Sequence, residues 1–240
     1  MTKDLQILIS CEHGGNRVPE RYRHLFHGFE PLLQTHRGYD IGILPFAEFL
    51  AAEFATPLIS ADVTRLLIDL NRSSGSRTLF SEISRHLSPE DKKDILARYH
   101  DPYWRAVADM ATGIIASGRR ALHLSIHSFT PVFSGEIRNA GLGLLYDPKR
   151  SEEKVFCLAW QTELYRIDPT LRIRRNYPYK GNADALVTAL RKRFSAEDYL
   201  GIELEINQRY PLSGSGSWVQ LQEQLVQTLR RLLESKFTRA

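Results

Sequence analysis

A mixed, mostly parallel α/β fold with helices on both faces of one sheet is what this sequence predicts, and three observations carry it. Short apolar runs of strand length alternate along the chain with longer segments whose apolar residues recur at helical spacing. Several of the strand-like runs break off into polar residues, as core strands do where an open sheet presents its chemistry. No repeat, low-complexity stretch or linker divides the 240 residues, so one domain spanning 1–240 is expected.

Residues 6–10 read as the first buried strand, which runs into Cys11-Glu12-His13-Gly14-Gly15, where two glycines permit a sharp turn. Residues 31–38, which include His36, form an irregular connection. From Tyr39 the spacing turns helical: Ile41, Leu44, Phe46, Phe49, Leu50 and Phe54 make one apolar face, with Asp40 in the first turn. Thr56-Pro57 ends that helix. Residues 57–60 are a short strand and 65–70 a longer one, followed by a polar loop at 71–76 and a surface excursion over 77–88.

Ser88-Pro89-Glu90 starts a helix with proline in its first turn. It runs to 117, breaks near Asp101-Pro102, and is capped by Gly118. Residues 121–127 form a central strand in which Leu122, Leu124 and Ile126 alternate with small or tolerated partners, and Pro131 prevents its continuation. A strand at 142–146, a helix at 151–165, an edge strand at 171–174 and a loop at 176–181 follow. A helix at 183–194, a strand at 200–207 bearing Glu203 and Glu205, and an amphipathic helix from Ser217 to about Phe237 complete the chain.

Composition narrows the classes. At 42% hydrophobic the chain can bury a large core, and no window approaches the ~18 consecutive apolar residues of a membrane span. Met1-Thr2-Lys3-Asp4 leads straight into a strand without a signal-like apolar stretch. Only two cysteines, Cys11 and Cys157, are present and no CxxC, which excludes a disulfide framework and a cysteine zinc cluster and fits a cytoplasmic location. The charge of +4 and pI of 9.1 permit polyanion binding. The basic runs at 172–175, 191–193 and 230–231 instead read as solvated faces without interleaved aromatics, so neither nucleic acid nor membrane is expected as a partner.

The strand ends carry Glu12 and His13, Asn71 and Arg72, His127, and Glu203 and Glu205, with Asp40 close behind the first. Two histidines and a carboxylate suit an open zinc site with a fourth position for water. A further carboxylate that is not a ligand suits proton transfer from that water, and an Asn-Arg pair suits a substrate carboxylate. These are the parts of a metal-dependent amide hydrolase. The bland readings are backbone bonding for Glu12, a helix N-terminal charge for Asp40, a surface role for His36, ion pairing with Arg65 or Arg72 for Asp69, and simple burial for Cys11.

The segments Ser10-Cys11-Glu12-His13-Gly14-Gly15-Asn16-Arg17-Val18-Pro19, His36-Arg37-Gly38-Tyr39-Asp40-Ile41-Gly42 and Arg65-Leu66-Leu67-Ile68-Asp69-Leu70-Asn71-Arg72 resemble the N-formylglutamate amidohydrolase family. So do Asn176-Tyr177-Pro178-Tyr179 and Ile202-Glu203-Leu204-Glu205-Ile206-Asn207, in the same order over nearly the whole chain. The resemblance implies a three-layer α/β/α fold of the phosphorylase/hydrolase-like, zinc carboxypeptidase-like kind and a small acylated amino acid as substrate. It implies Zn2+ held by His13 and His127, Glu205 as general base, and a substrate carboxylate on Asn71 and Arg72, with Arg65, Asn176 and Tyr179 as further contacts. Two departures stand out. Asn16 occupies the position where the carboxypeptidase first motif has a glutamate ligand, so the third ligand is assigned to Asp40, with Glu12 and His36 in reserve. Tyr177 replaces an expected acidic residue. Glu203 is expected on the strand face opposite Glu205.

Overall fold

The computed structural model describes residues 3–214 and 216–235. In chain order the elements are β1 (Leu5–Cys11), a 3-10 stretch over Glu20–Phe26, α1 (Glu30–Leu33), α2 (Ile43–Glu53), β2 (Leu58–Ser60), α3 (Pro89–Ile95) and α4 (Asp101–Ala116). Then come β3 (Arg120–Phe129), a small hairpin of β4 (Val132–Phe133) and β5 (Glu136–Ile137), β6 (Leu142–Leu145), α5 (Ser151–Ile167) and β7 (Ile173–Arg175). α6 (Leu186–Arg193), β8 (Tyr199–Asn207), α7 (Arg209–Leu212) and α8 (Gly216–Glu234) close the chain.

The six-stranded sheet has the order β2-β1-β3-β8-β6-β7. β2, β1, β3 and β8 are parallel, β6 runs antiparallel to β8, and β7 is parallel to β6. Side-chain alternation splits the interior into two clusters. Ile7, Ile9, Leu122, Leu124 and Ile126 pack with α2, α5 and α8 on one face. Leu8, Ala121 and Tyr199 pack with the 3-10 stretch, α4 and α6 on the other. The predicted three-layer, mostly parallel architecture is therefore the observed one. No described helix is long and apolar enough to cross a membrane.

Three local expectations change. Residues 65–70 are not a strand: Thr64 accepts the N–H groups of Leu67 and Ile68, and its hydroxyl bonds Gly38 O and receives the N–H of Leu66. The apolar run Leu66, Leu67, Ile68 and Leu70 is core filling beneath the sheet rather than part of it. The helix expected from Tyr39 starts at Ile43, because Gly42 sits at φ 76°, a conformation glycine adopts cheaply. Asp40 thus precedes the helix, and its N–H bonds His13 O at 2.9 Å, which sets the two residues side by side. The central strand continues past His127 to Phe129. The break near Asp101 is a π-turn over Leu96–His100, with Pro102 in the first turn of α4. Phe237, the expected end of the last helix, lies outside the described residues.

Candidate metal centre

The site forms where β1, β3 and β8 end, because parallel strands deliver their C-terminal residues to one edge. His127 and Glu205 are register partners on β3 and β8, as are Ser125 and Glu203. Glu203 and Glu205 are two residues apart on a strand of period two, so they share a face. The expectation of opposite faces fails for that reason, and both line a cavity of about 300 Å3 with His13, Asp40 and His127. Gly143 lies opposite Glu205 on β6, and a Cβ there would meet Tyr177 O at 1.9 Å, so only glycine lets that loop close over the strand.

His13, Asp40 and His127 each offer one ligand atom, all within 4.8 Å of one another. His13 Nε2 lies 2.7 Å from Asp69 Oδ1. The carboxylate can only accept, so Nε2 carries a proton, which leaves Nδ1 as the nitrogen a metal would use once the ring is neutral. That Nδ1 is buried without a hydrogen-bond partner, 3.5 Å from Asp40 Oδ2. His127 Nδ1 lies 3.0 Å from the same oxygen. An orphaned imidazole nitrogen facing a carboxylate and a second imidazole fits a two-histidine, one-carboxylate metal site with room for water. Arg65 bonds both Asp40 Oδ1 (3.3 Å) and Asp69 Oδ2 (2.9 Å), bracing the carboxylates from outside.

The charge states follow from these contacts. Burial opposes ionisation of Asp40 and Asp69, yet His13 and Arg65, with His127 at Asp40, hold both well below the usual carboxylate range. Burial likewise opposes Glu12, whose bonds to His127 and Ser10 bring it down to about 2. For Glu205 burial wins: with Asp40 and Glu203 nearby, its carboxyl is pushed up to about 8 despite His127 and Arg65. Its Oε2 is buried without a partner, whereas Glu203 Oε1 accepts from Asn71 Nδ2 at 3.1 Å. Glu205 is thus the carboxylate with a buried oxygen left without a partner.

The other expected site residues separate. Tyr179, Arg65, Asn71 and Arg72 line the cavity. Asn71 Oδ1 also accepts from Leu186 N, and Arg72 Nη1 donates to the carbonyls of Asn71 and Asp184. Asn176 does not line it: at φ 51° its Oδ1 accepts from Tyr146 N and Gly181 N, so it ties the loop rather than facing a substrate. Glu12 stands behind His127, its Oε2 3.2 Å from Nε2, away from the converging atoms. His36 is exposed on a neighbouring cavity. Asn16 bonds Leu33 O and Gln34 and takes no part.

Sequence reading missed the buried network behind His127. Tyr199 bonds His123, His123 bonds Ser10, Ser10 bonds Glu12, and Glu12 bonds Ser125. Tyr103 closes it from α4 by donating to Ile59 O and lying 3.3 Å from Glu12 Oε1. The signal was present: His123, Ser125 and His127 recur every second residue and share one face.

Against known proteins, a family model described as N-formylglutamate amidohydrolase matches residues 5–211. A solved gene product of Agrobacterium tumefaciens is similar at 24% identity over 94% of this chain and 91% of that one, with a TM-score of 0.77. A solved N-formylglutamate amidohydrolase of Ralstonia eutropha is similar at 18% identity over 97% of this chain and 94% of that one, with a TM-score of 0.68. At these identities both structures speak to the fold. No curated protein matches the sequence.

Proposed function

This chain belongs to the N-formylglutamate amidohydrolase family, and on that footing we propose that it is a zinc-dependent amidohydrolase acting on the amide bond of a small N-acyl amino acid such as N-formylglutamate. The observation that carries the reading is the buried, partnerless Nδ1 of His13 converging with Asp40 and His127 beside the uncommitted oxygen of Glu205. One domain and a cytoplasmic setting belong to the same reading, and the two buried, unpaired cysteines fit it.

His13, Asp40 and His127 would hold the metal. A zinc ion there supplies a Lewis acid for the scissile carbonyl and acidifies a water molecule. Asp69 fixes the His13 tautomer by accepting its Nε2–H, and Arg65 keeps Asp40 and Asp69 ionised and in place. Glu205 accepts the proton of the attacking water and returns it to the leaving amine nitrogen. Its buried Oε2, which no hydrogen bond engages, is the atom free to accept that proton. Asn71 and Arg72 orient the carboxylate of the amino-acid half, and Tyr179 walls the entrance.

A panel of N-acyl amino acids, their amides and short peptides, assayed with purified protein of measured metal content, tests this reading. Hydrolysis of the acyl amino acids is expected. Cleavage of peptides alone would make the chain a carboxypeptidase-like peptidase, and no bound metal with salt-dependent polyanion affinity would make it a basic binding module.

Two substitutions refine the assignment. Asp40→Asn is expected to lose metal, while Asn16→Ala keeps it; metal analysis of both after dialysis reads the difference, and the reverse pattern would return the ligand to the first motif. Arg72→Ala is expected to raise KM about 10–100-fold for substrates with a free carboxylate and far less for their amides, the range of a lost charge-assisted pair. Equal effects on both would make Arg72 a brace for the 184–186 loop.

A further inference from the structure

A second cavity, of about 490 Å3, adjoins the first and shares Asp40, Arg65, Ser128 and Tyr179 with it. Its size alone is in the range that holds a drug-sized ligand, more than a one-carbon acyl group needs. Its walls are aromatic and cationic. Phe129, Phe133 and Tyr179 line one side, and Arg138 stacks against all three rings, 4.5 Å from the centroid of Phe133.

Another part of the wall is the excursion between Arg72 and Ser88, and it is anchored rather than loose. Asp69 N bonds Leu79 O, Ser84 Oγ bonds Leu66 O at 3.1 Å, and Leu79 is 1% exposed. This wall presents Arg77 and Arg85. Of the cavity's other arginines, Arg37 is neutralised by Glu82 and Arg65 by Asp40 and Asp69. Arg77 and Arg85 form no close ion pair among the described residues, although Arg85 lies in the field of Glu82 and bonds His86 Nε2 at 3.1 Å. The positive field is also felt at His36, whose imidazole, though largely exposed, is pressed below its usual value by partial burial and by Arg37, Arg65 and Arg138 against the opposing pull of Asp40.

Resting on the proposed amidohydrolase reading, we infer that this cavity is the acyl-side subsite and takes an acyl chain ending in a carboxylate, held by Arg77 and Arg85 against the aromatic wall. The substrate class is then an N-(carboxyacyl) amino acid. The amino-acid carboxylate lies toward Arg72 on one side of His13, Asp40 and His127, and the acyl carboxylate lies toward Arg77 and Arg85 on the other. The bond broken is still the amide C–N; water supplies the hydroxyl to the acyl carbon and the proton to the amine.

The test compares N-succinyl with N-butanoyl amino acids, chains of equal length that differ in the terminal charge, in wild type and in Arg77→Ala/Arg85→Ala. Wild type is expected to favour the succinyl substrate about 10–100-fold in kcat/KM, and the double variant to lose that preference. Calorimetric binding of the N-succinyl amino acid in the Glu205→Gln background, with and without Arg77→Ala/Arg85→Ala, reads the same subsite with turnover suppressed and is expected to weaken by a similar factor. No preference in wild type, or a preference and a binding constant that survive the double substitution, overturns the inference. Absence of hydrolysis for every N-acyl amino acid would count against the amidohydrolase reading, while the binding comparison still decides the subsite.

Discussion

Glu205→Gln is expected to lower kcat by about 10²–10⁴, the usual contribution of a positioned base, with KM and metal content nearly unchanged. The amide keeps the shape of the carboxylate and removes its basicity. Nothing in the described contacts holds Oε2 of Glu205, so the substitution breaks no hydrogen bond there. Glu203→Gln is the control on the same face: it alters the partner of Asn71, and its effect should fall on substrate affinity more than on kcat. A dead but folded and metallated Glu203→Gln beside an active Glu205→Gln would move the base by two residues.

The same substitution has a thermodynamic consequence. Glu205 titrates at about 8 in the folded chain against an ordinary 4.5. Between those values the folded protein holds a proton that the unfolded chain has released, so this group's contribution to stability is present at low pH and is lost as pH rises through 8. Over that window the loss is on the order of a few kcal/mol. In metal-free protein, the melting temperature of Glu205→Gln should therefore gain on wild type from pH 5 to pH 8, and parallel pH profiles would contradict the buried, raised carboxyl.

His127→Asn is expected to abolish stoichiometric metal binding. The ring supplies one of only two imidazoles in the cluster, and loss of a ligand should exceed the roughly 10–100-fold affinity cost of losing a ligand's outer hydrogen-bond partner. Asparagine leaves an amide where Nδ1 stood, within reach of Asp40 Oδ2, which alanine would not, so the fold is expected to survive. Circular dichroism alongside metal analysis reads both, and retained stoichiometric metal would remove His127 from the set.

Most of the architecture was legible because its signals are local. The strands that became β1, β3 and β8 are apolar runs with polar exits, and helix starts such as Ser88-Pro89 carry their own chemistry: the Ser88 side chain accepts from Asp91 N. The segment 65–70 was misread because an apolar run of strand length looks the same whether it pairs in a sheet or packs beneath one. Asp40 was found, but its setting was not: a glycine with positive φ delays the helix, and only the fold puts Asp40 N–H on His13 O. Asn176 and Glu12 were harder, since whether a polar side chain faces a cavity or ties its own loop depends on contacts far along the chain.

The central claim is tested most directly by titrating zinc into chelator-stripped protein while following hydrolysis of an N-acyl amino acid. Activity is expected to be absent in the stripped protein and to rise to a plateau at one zinc per chain. Full hydrolysis by the stripped protein, with no response to added zinc, would contradict a metal centre at His13, Asp40 and His127.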